Sequence, residues 1–94
     1  MKIYIPHLNY TVYIRKFKKA PEEIPNAKAF ARHIDDNSSA LYVNKCRPGD
    51  LAHELIHILQ WICLDRSLDF SLEQEHMAYL MQYLMGTAMG DKWK

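Results

Sequence analysis

The chain has 94 residues, of which 49% are hydrophobic and 24% are charged, and its formal net charge is +1. This length predicts one domain over residues 1–94, and the composition excludes a wholly disordered chain. The small net charge argues against a nucleic-acid partner, and no apolar run reaches the roughly 18 residues of a membrane span. Two cysteines without a paired spacing, Cys46 and Cys63, and no secretory signal predict a cytoplasmic protein.

The first half of the chain has the composition of β-strands. Residues 2–5 are a short apolar stretch, and residues 10–17 are rich in β-branched and aromatic side chains. Residues 27–34 fit a strand or a short helix, and we favour a strand. A turn rich in Asp, Asn and Ser at 35–39 precedes a further predicted strand at 40–45.

A basic run ends the second predicted strand. It consists of Arg15, Lys16, Phe17, Lys18 and Lys19. We interpret it mainly as the solvated end of a strand. The alternative is a weak contact for an acidic or phosphate-bearing partner.

The second half predicts two helices. Pro48 suits a first helical turn, and a helical apolar stripe then runs to about residue 64 or 65. The stripe consists of Leu51, Leu55, Ile58 and Ile62. After a loop, residues 72–85 predict a second helix that could extend to residue 89, and residues 90–94 are expected to fray. Strands followed by helices predict an α+β fold, a small, mostly antiparallel sheet of about three or four strands with the helices on one face.

One motif carries candidate chemistry: residues 53–57 read His-Glu-Leu-Ile-His, an HExxH on the first predicted helix. Because four residues turn a helix by about 400°, His53 and His57 lie on one face and can bind one zinc ion. Glu54 lies to the side, where it can act as a general base toward a zinc-bound water. Catalytic zinc keeps one position open for water, so the site needs a third protein ligand.

Three residues of the second predicted helix are candidates for that ligand: Glu73, Glu75 and His76. Residues 52–57 and 75–80 resemble the gluzincin branch of the zincin metallopeptidases. They are especially similar to small zincin-like proteins of phages and bacterial mobile elements. In gluzincins the third ligand is a glutamate on the helix after the HExxH helix. The resemblance therefore implies Glu75, ahead of Glu73 and His76.

The sequence departs from this family in two respects. Thermolysin-like members carry an aspartate four residues after the ligand glutamate, whereas this chain has Tyr79, which could orient an imidazole or pack in the core. The chain also has no counterpart of the C-terminal subdomain that supplies specificity and oxyanion-stabilising groups in large gluzincins. Tyr42, Tyr83 and His33 are possible oxyanion donors, although each is explained more simply as a structural or surface residue.

The resemblance implies a zinc-dependent metallopeptidase that hydrolyses a peptide or protein substrate, with Glu54 as general base. The substrate would bind along an edge strand, either residues 27–34 or 40–45. The alternatives are a zinc-bound, non-proteolytic regulator of a phage or mobile element and a metal-free interaction module. We expect the protein to act in the cytoplasm, that of a host cell included, and the sequence leaves its oligomeric state open.

Overall fold

The structure, a computed structural model that describes residues 1–90, consists of a four-stranded sheet followed by two helices. Its elements are β1 (Lys2–Ile5), a 3-10 turn (Pro6–Leu8), β2 (Tyr10–Lys16), β3 (Ala29–Asp35), β4 (Ser38–Val43), α1 (Pro48–Asp65) and α2 (Gln74–Met89). The predicted α+β class is confirmed.

The boundaries follow the sequence prediction closely, with a few differences. The ambiguous segment at 27–34 is a strand, β3, as we favoured. β4 begins at Ser38, because only residues 36 and 37 form the turn after β3. α2 begins two residues later than predicted and extends through Gly86 to Met89. Apart from Gly90, the expected fraying at 90–94 lies outside the described residues.

The sheet is mixed, with the strand order β1-β2-β4-β3. β1 pairs antiparallel with β2, β2 pairs parallel with β4, and β4 pairs antiparallel with β3. β3 is therefore an edge strand and β4 lies inside the sheet. Of the two segments considered for a substrate-binding edge, only the one at 27–34 lies at an edge.

The core lies between one face of the sheet and the two helices. Because strand side chains alternate between faces, every second residue of β1 and β2 is directed at the helices. The largest fully buried side chains there include Ile5, Tyr10, Leu41, Leu55, Ile58, Ile62 and Leu84. Truncating one such side chain to alanine typically costs about 2–5 kcal/mol of stability.

The two helices run antiparallel. Near the C-terminal end of α1, Cys63 lies 3.5 Å from Met77 of α2, measured between the two sulfur atoms. Near the N-terminal end of α1, Leu51 lines one cavity together with Ala88 and Met89 of α2. The start of α2 therefore lies beside the end of α1. Within the described part of the chain, neither helix has the length and apolar character needed to cross a membrane.

Candidate metal site

The N-terminal end of α1 fixes which residues face outward. Arg47 precedes the helix, its backbone N–H donates to the Asp50 carboxylate at 3.0 Å, and Pro48 occupies the first turn. From this start the predicted stripe is buried, with Leu51 and Leu55 at 2% and 1% exposure. Positions two residues away from the stripe lie about 200° around the helix. His53 and His57 are therefore on the outer face.

The structure brings His53, Glu54 and His57 together on this face. One possible ligand atom from each residue lies within 4.8 Å of the other two, and among residues 1–90 they are the only such group of His, Cys, Asp or Glu. The two imidazole centroids are 5.2 Å apart with a 74° angle between the rings. The Glu54 carboxylate lies 3.8 Å from Nε2 of His53. The helical geometry predicted from the motif is confirmed.

The side chains of His53 and Glu54 differ in exposure. The His53 side chain is 72% exposed, whereas that of Glu54 is only 15% exposed. Two imidazoles are ligands that zinc accepts, and exposed imidazoles can turn toward a shared ion at little cost. The two histidines therefore fit a divalent metal, and the less exposed Glu54 carboxylate lies beside them.

An aromatic stack connects this face to the edge strand. The Trp61 ring stacks against His57 of the same helix at 6.3 Å and against His33 of β3 at 5.5 Å, measured between ring centroids. Trp61 follows His57 by one helical turn, which explains the first contact. The His33 side chain is 38% exposed and its Nε2 lies 2.7 Å from the Asp65 carboxylate. The candidate site is thus on the side of α1 that faces β3.

Asp65 also belongs to a buried polar network under this stack. The Tyr10 hydroxyl lies 2.7 Å from the Ser39 hydroxyl and donates to the Asp65 carboxylate at 3.3 Å. Burial, together with the negative charge of Asp65, raises the pKa of Tyr10 to about 12. The side chains of the network, Tyr10, Ser39 and Asp65, all have hydrogen-bond partners and connect β2, β4 and α1. The network stabilises the scaffold behind the site.

Glu75 is not part of the group formed by His53, Glu54 and His57. It lies in the first turn of α2, beside the far end of α1. It is exposed, because it is two residues from the buried Met77 and so lies about 200° around α2. α2 contacts α1 through Cys63, whereas the site faces β3. The role of Glu75 as third ligand stays a prediction.

The other two ligand candidates contact a different histidine. His76 Nε2 lies 2.8 Å from Nε2 of His7, which is in the 3-10 turn. The Glu73 carboxylate lies 3.5 Å from Nδ1 of His76. The ring centroids of the two histidines are 5.0 Å apart, so the nitrogens meet nearly head-on, as in a hydrogen bond. This pair connects α2 to the 3-10 turn.

Of the remaining candidates, only His33 lies near the site, through Trp61. Tyr79 and Tyr83 are 68% and 49% exposed on α2, so Tyr79 does not pack in the core, and it forms no hydrogen bond or ring contact with a described histidine. Tyr42 accepts a hydrogen bond from Arg15 and stacks on Phe30, on the face of the sheet away from the helices. None of these contacts provides an oxyanion donor beside Glu54.

Sequence reasoning did not place Trp61 or Asp65 beside the candidate site. Both follow His57 at four-residue intervals, so helical periodicity could have placed them along the same side of α1. Their partners on β2 and β3 come from the tertiary structure and leave no local sequence signal.

No protein-family model, no curated protein and no solved structure matches this chain. The resemblance to gluzincins therefore depends on the HExxH motif and its geometry alone. The family and a phage or mobile-element origin stay predictions.

Proposed function

We propose that this protein is a zinc-dependent hydrolase that cleaves peptide bonds. The observation that carries the proposal is the grouping of His53, Glu54 and His57 on one outward face of α1, with ligand atoms within 4.8 Å. His53 and His57 would hold the metal. A zinc ion in such a site polarises a carbonyl group and lowers the pKa of a water molecule.

Glu54 is the proposed general base. Its carboxylate is next to His53, and Glu54 is better covered than either histidine, which favours proton transfer over exchange with bulk water. It takes one proton from the attacking water, whose oxygen forms a bond to the carbonyl carbon. It then returns that proton to the leaving amine as the C–N bond breaks. The products are one carboxylic acid and one amine, and no covalent enzyme intermediate is needed.

The edge strand β3 supports a peptide as the substrate. It contacts α1 through His33, on the same side as the candidate site. An extended peptide can pair with the free edge of a sheet through backbone hydrogen bonds, with little demand on its side chains. A substrate held along β3 would lie beside the site.

The decisive experiment combines metal analysis with cleavage of a peptide library, using protein without an affinity tag. In a zinc titration we expect saturation at one zinc per chain in the wild type and in Glu54→Gln, and no zinc binding in the double variant His53→Ala/His57→Ala. Glu54→Gln should lower cleavage by about 100-fold or more, because it removes the base and retains the ligands. Zinc-loaded wild type that cleaves nothing would refute the hydrolase.

The same titration tests the third ligand. If Glu75→Gln lowers zinc affinity by about tenfold or more while Glu73→Gln does not, Glu75 is a ligand and α2 must move toward the site. Equal zinc affinity in the wild type, Glu75→Gln and Glu73→Gln would mean that neither glutamate is a ligand and that only the group on α1 binds the metal.

A second candidate function is a zinc-bound regulator without proteolytic activity. It is favoured by the 72% exposure of His53 and by the lack of an oxyanion donor beside Glu54 among the described residues. In that case Glu54→Gln would keep the biological effect of the protein, and removal of both histidines would abolish it. The hydrolase requires the opposite result for Glu54→Gln.

A further inference from the structure

A cavity of about 540 Å³ lies on the other side of α1 from the candidate metal site. Four parts of the chain surround it: the end of β2, the segment after β4, the start of α1 and the end of α2. Its lining includes Leu51, which is on the core side of α1, roughly opposite to His53. Its volume is within the range of about 300–1,000 Å³ that is usual for ligand sites.

The walls of the cavity are mainly apolar. Ile14 and Phe17 contribute from the β2 side, Leu51 from α1, and Ala88 and Met89 from α2. Leu51 is 2% exposed, and the others are partly covered. A methionine can adjust its shape to different apolar groups. These walls suit an alkyl chain.

Three lysines also line the cavity, and all three are exposed to solvent. Lys16 and Lys18 belong to the basic run at the end of β2, and Lys45 follows β4. Lys45 has a φ of 49°, so the chain turns there. No described carboxylate forms a salt bridge with any of the three lysines, and the described lining includes no Asp or Glu. Within residues 1–90 the cavity therefore combines apolar walls with lysines that form no salt bridge.

We propose that this cavity binds a carboxylate with a medium-length alkyl chain. A small inorganic anion would neutralise the lysines and leave the apolar walls in water. An uncharged hydrocarbon would cover the walls and leave the ammonium groups without a counter-charge. A chain with one terminal carboxylate satisfies both, because lysines reach the charge while their methylene stems extend the apolar surface. The site does not depend on the proposed zinc chemistry.

Calorimetric titrations of the full-length protein with three ligands separate the contribution of the alkyl chain from that of the charge. Decanoate carries both chemical features, 1-decanol has the chain without the charge, and acetate has the charge without the chain. We expect decanoate to bind saturably and at least about tenfold more tightly than 1-decanol, with no measurable binding of acetate. Because the lysines are exposed, the advantage of decanoate should shrink as salt increases.

Charge reversal tests the lysines. The double variant Lys16→Glu/Lys45→Glu should lose about tenfold or more of its affinity for decanoate and keep its affinity for 1-decanol. The control is Lys2→Glu, an exposed residue of β1 that alternates with the buried Ile3 and so lies on the opposite face of the sheet. It should change the affinity for decanoate by less than about twofold. If the double variant is unfolded by circular dichroism, Lys16→Gln/Lys45→Gln replaces it, with a loss of about fivefold.

Filling the cavity tests the walls. Ala88→Trp puts a large ring at the end of α2, where Ala88 lines the cavity, and should abolish binding of both alkyl ligands. Three results would overturn the proposal: no saturable decanoate binding, equal affinity for decanoate and 1-decanol, or the same loss in Lys2→Glu as in the lysine double variant.

Discussion

The two ends of α1 differ in how firmly they are connected to the rest of the molecule. Directly after the helix, Arg66 donates hydrogen bonds to the carbonyls of Leu8, Asn9 and Asp36, at 2.7, 2.9 and 2.7 Å. Asp65 adds contacts to His33 and Tyr10. The outer face near the N-terminal end presents the imidazoles of His53 and His57 to solvent, with the better-covered Glu54 carboxylate beside them. The C-terminal end is held by polar contacts to two loops and two strands. The side chains near the N-terminal end are free to change rotamer.

The C-terminal end of α1 therefore belongs to the scaffold, and the outer face near its N-terminal end carries the candidate site. Within the described residues, neither His53 nor His57 has a hydrogen bond to an orienting carboxylate or carbonyl, although Glu54 is near. Such second contacts usually contribute about 10–100-fold to metal affinity. We therefore expect weak zinc binding unless a substrate or a partner completes the site, whereas the scaffold should be insensitive to the metal ligands.

The largest effect on stability should come from a substitution at the C-terminal end of α1. Arg66→Ala removes the hydrogen bonds to three carbonyls and to the Asn37 side chain, so we expect a loss of about 3 kcal/mol in the free energy of unfolding. The measurement is urea denaturation followed by circular dichroism. The matched control is Arg15→Ala on the outer face of β2, which loses one exposed hydrogen bond to Tyr42 and should cost no more than about 1 kcal/mol. Equal losses in the two variants would mean that Arg66 does not anchor the helix.

Zinc should stabilise the folded protein by binding at the candidate site on the outer face of α1. At a zinc concentration of about 100 times the Kd, binding to the folded state adds about 2.7 kcal/mol and raises the Tm. His53→Ala/His57→Ala should remove this shift, and His7→Ala should retain it, because His7 lies with His76 and not at the site. A shift that survives loss of both site histidines would place the zinc elsewhere.

The buried network should respond to Tyr10→Phe. The variant loses the contacts to Ser39 and Asp65 and should unfold with about 1–2 kcal/mol less free energy. Because the pKa of Tyr10 in the folded protein is raised to about 12, the neutral hydroxyl stabilises the fold at pH values below its ordinary pKa of 10.0. In the wild type this contribution is lost as the pH rises from 10 to 12. Denaturation series at several pH values should show that Tyr10→Phe lacks this part of the alkaline decline.

The smallest effect should be that of His53→Ala in metal-free protein. The side chain is largely exposed and has no described hydrogen bond, so stability should stay within about 0.5 kcal/mol of the wild type. Urea denaturation with a chelator present measures it. A loss of more than about 1 kcal/mol would show that the outer face of α1 contributes to the scaffold.

The sequence by itself determined the local features of this protein. The apolar stripe at Leu51 and Leu55 predicted α1, and the four-residue spacing put His53 and His57 on one face. β-Branched and aromatic residues predicted β2. These predictions succeed because helix rotation and strand alternation are set by backbone dihedral angles, which the local sequence largely controls.

Tertiary structure decided everything that depends on how the elements meet. It made β3 an edge strand, paired β2 parallel with β4, and ran α2 back along the side of α1 that bears Cys63. As a result Glu75, only 18 positions after His57, lies beside the far end of α1 on an outward face. Chain separation does not fix the side on which a helix packs, because that choice is made by the buried surfaces of all the elements together.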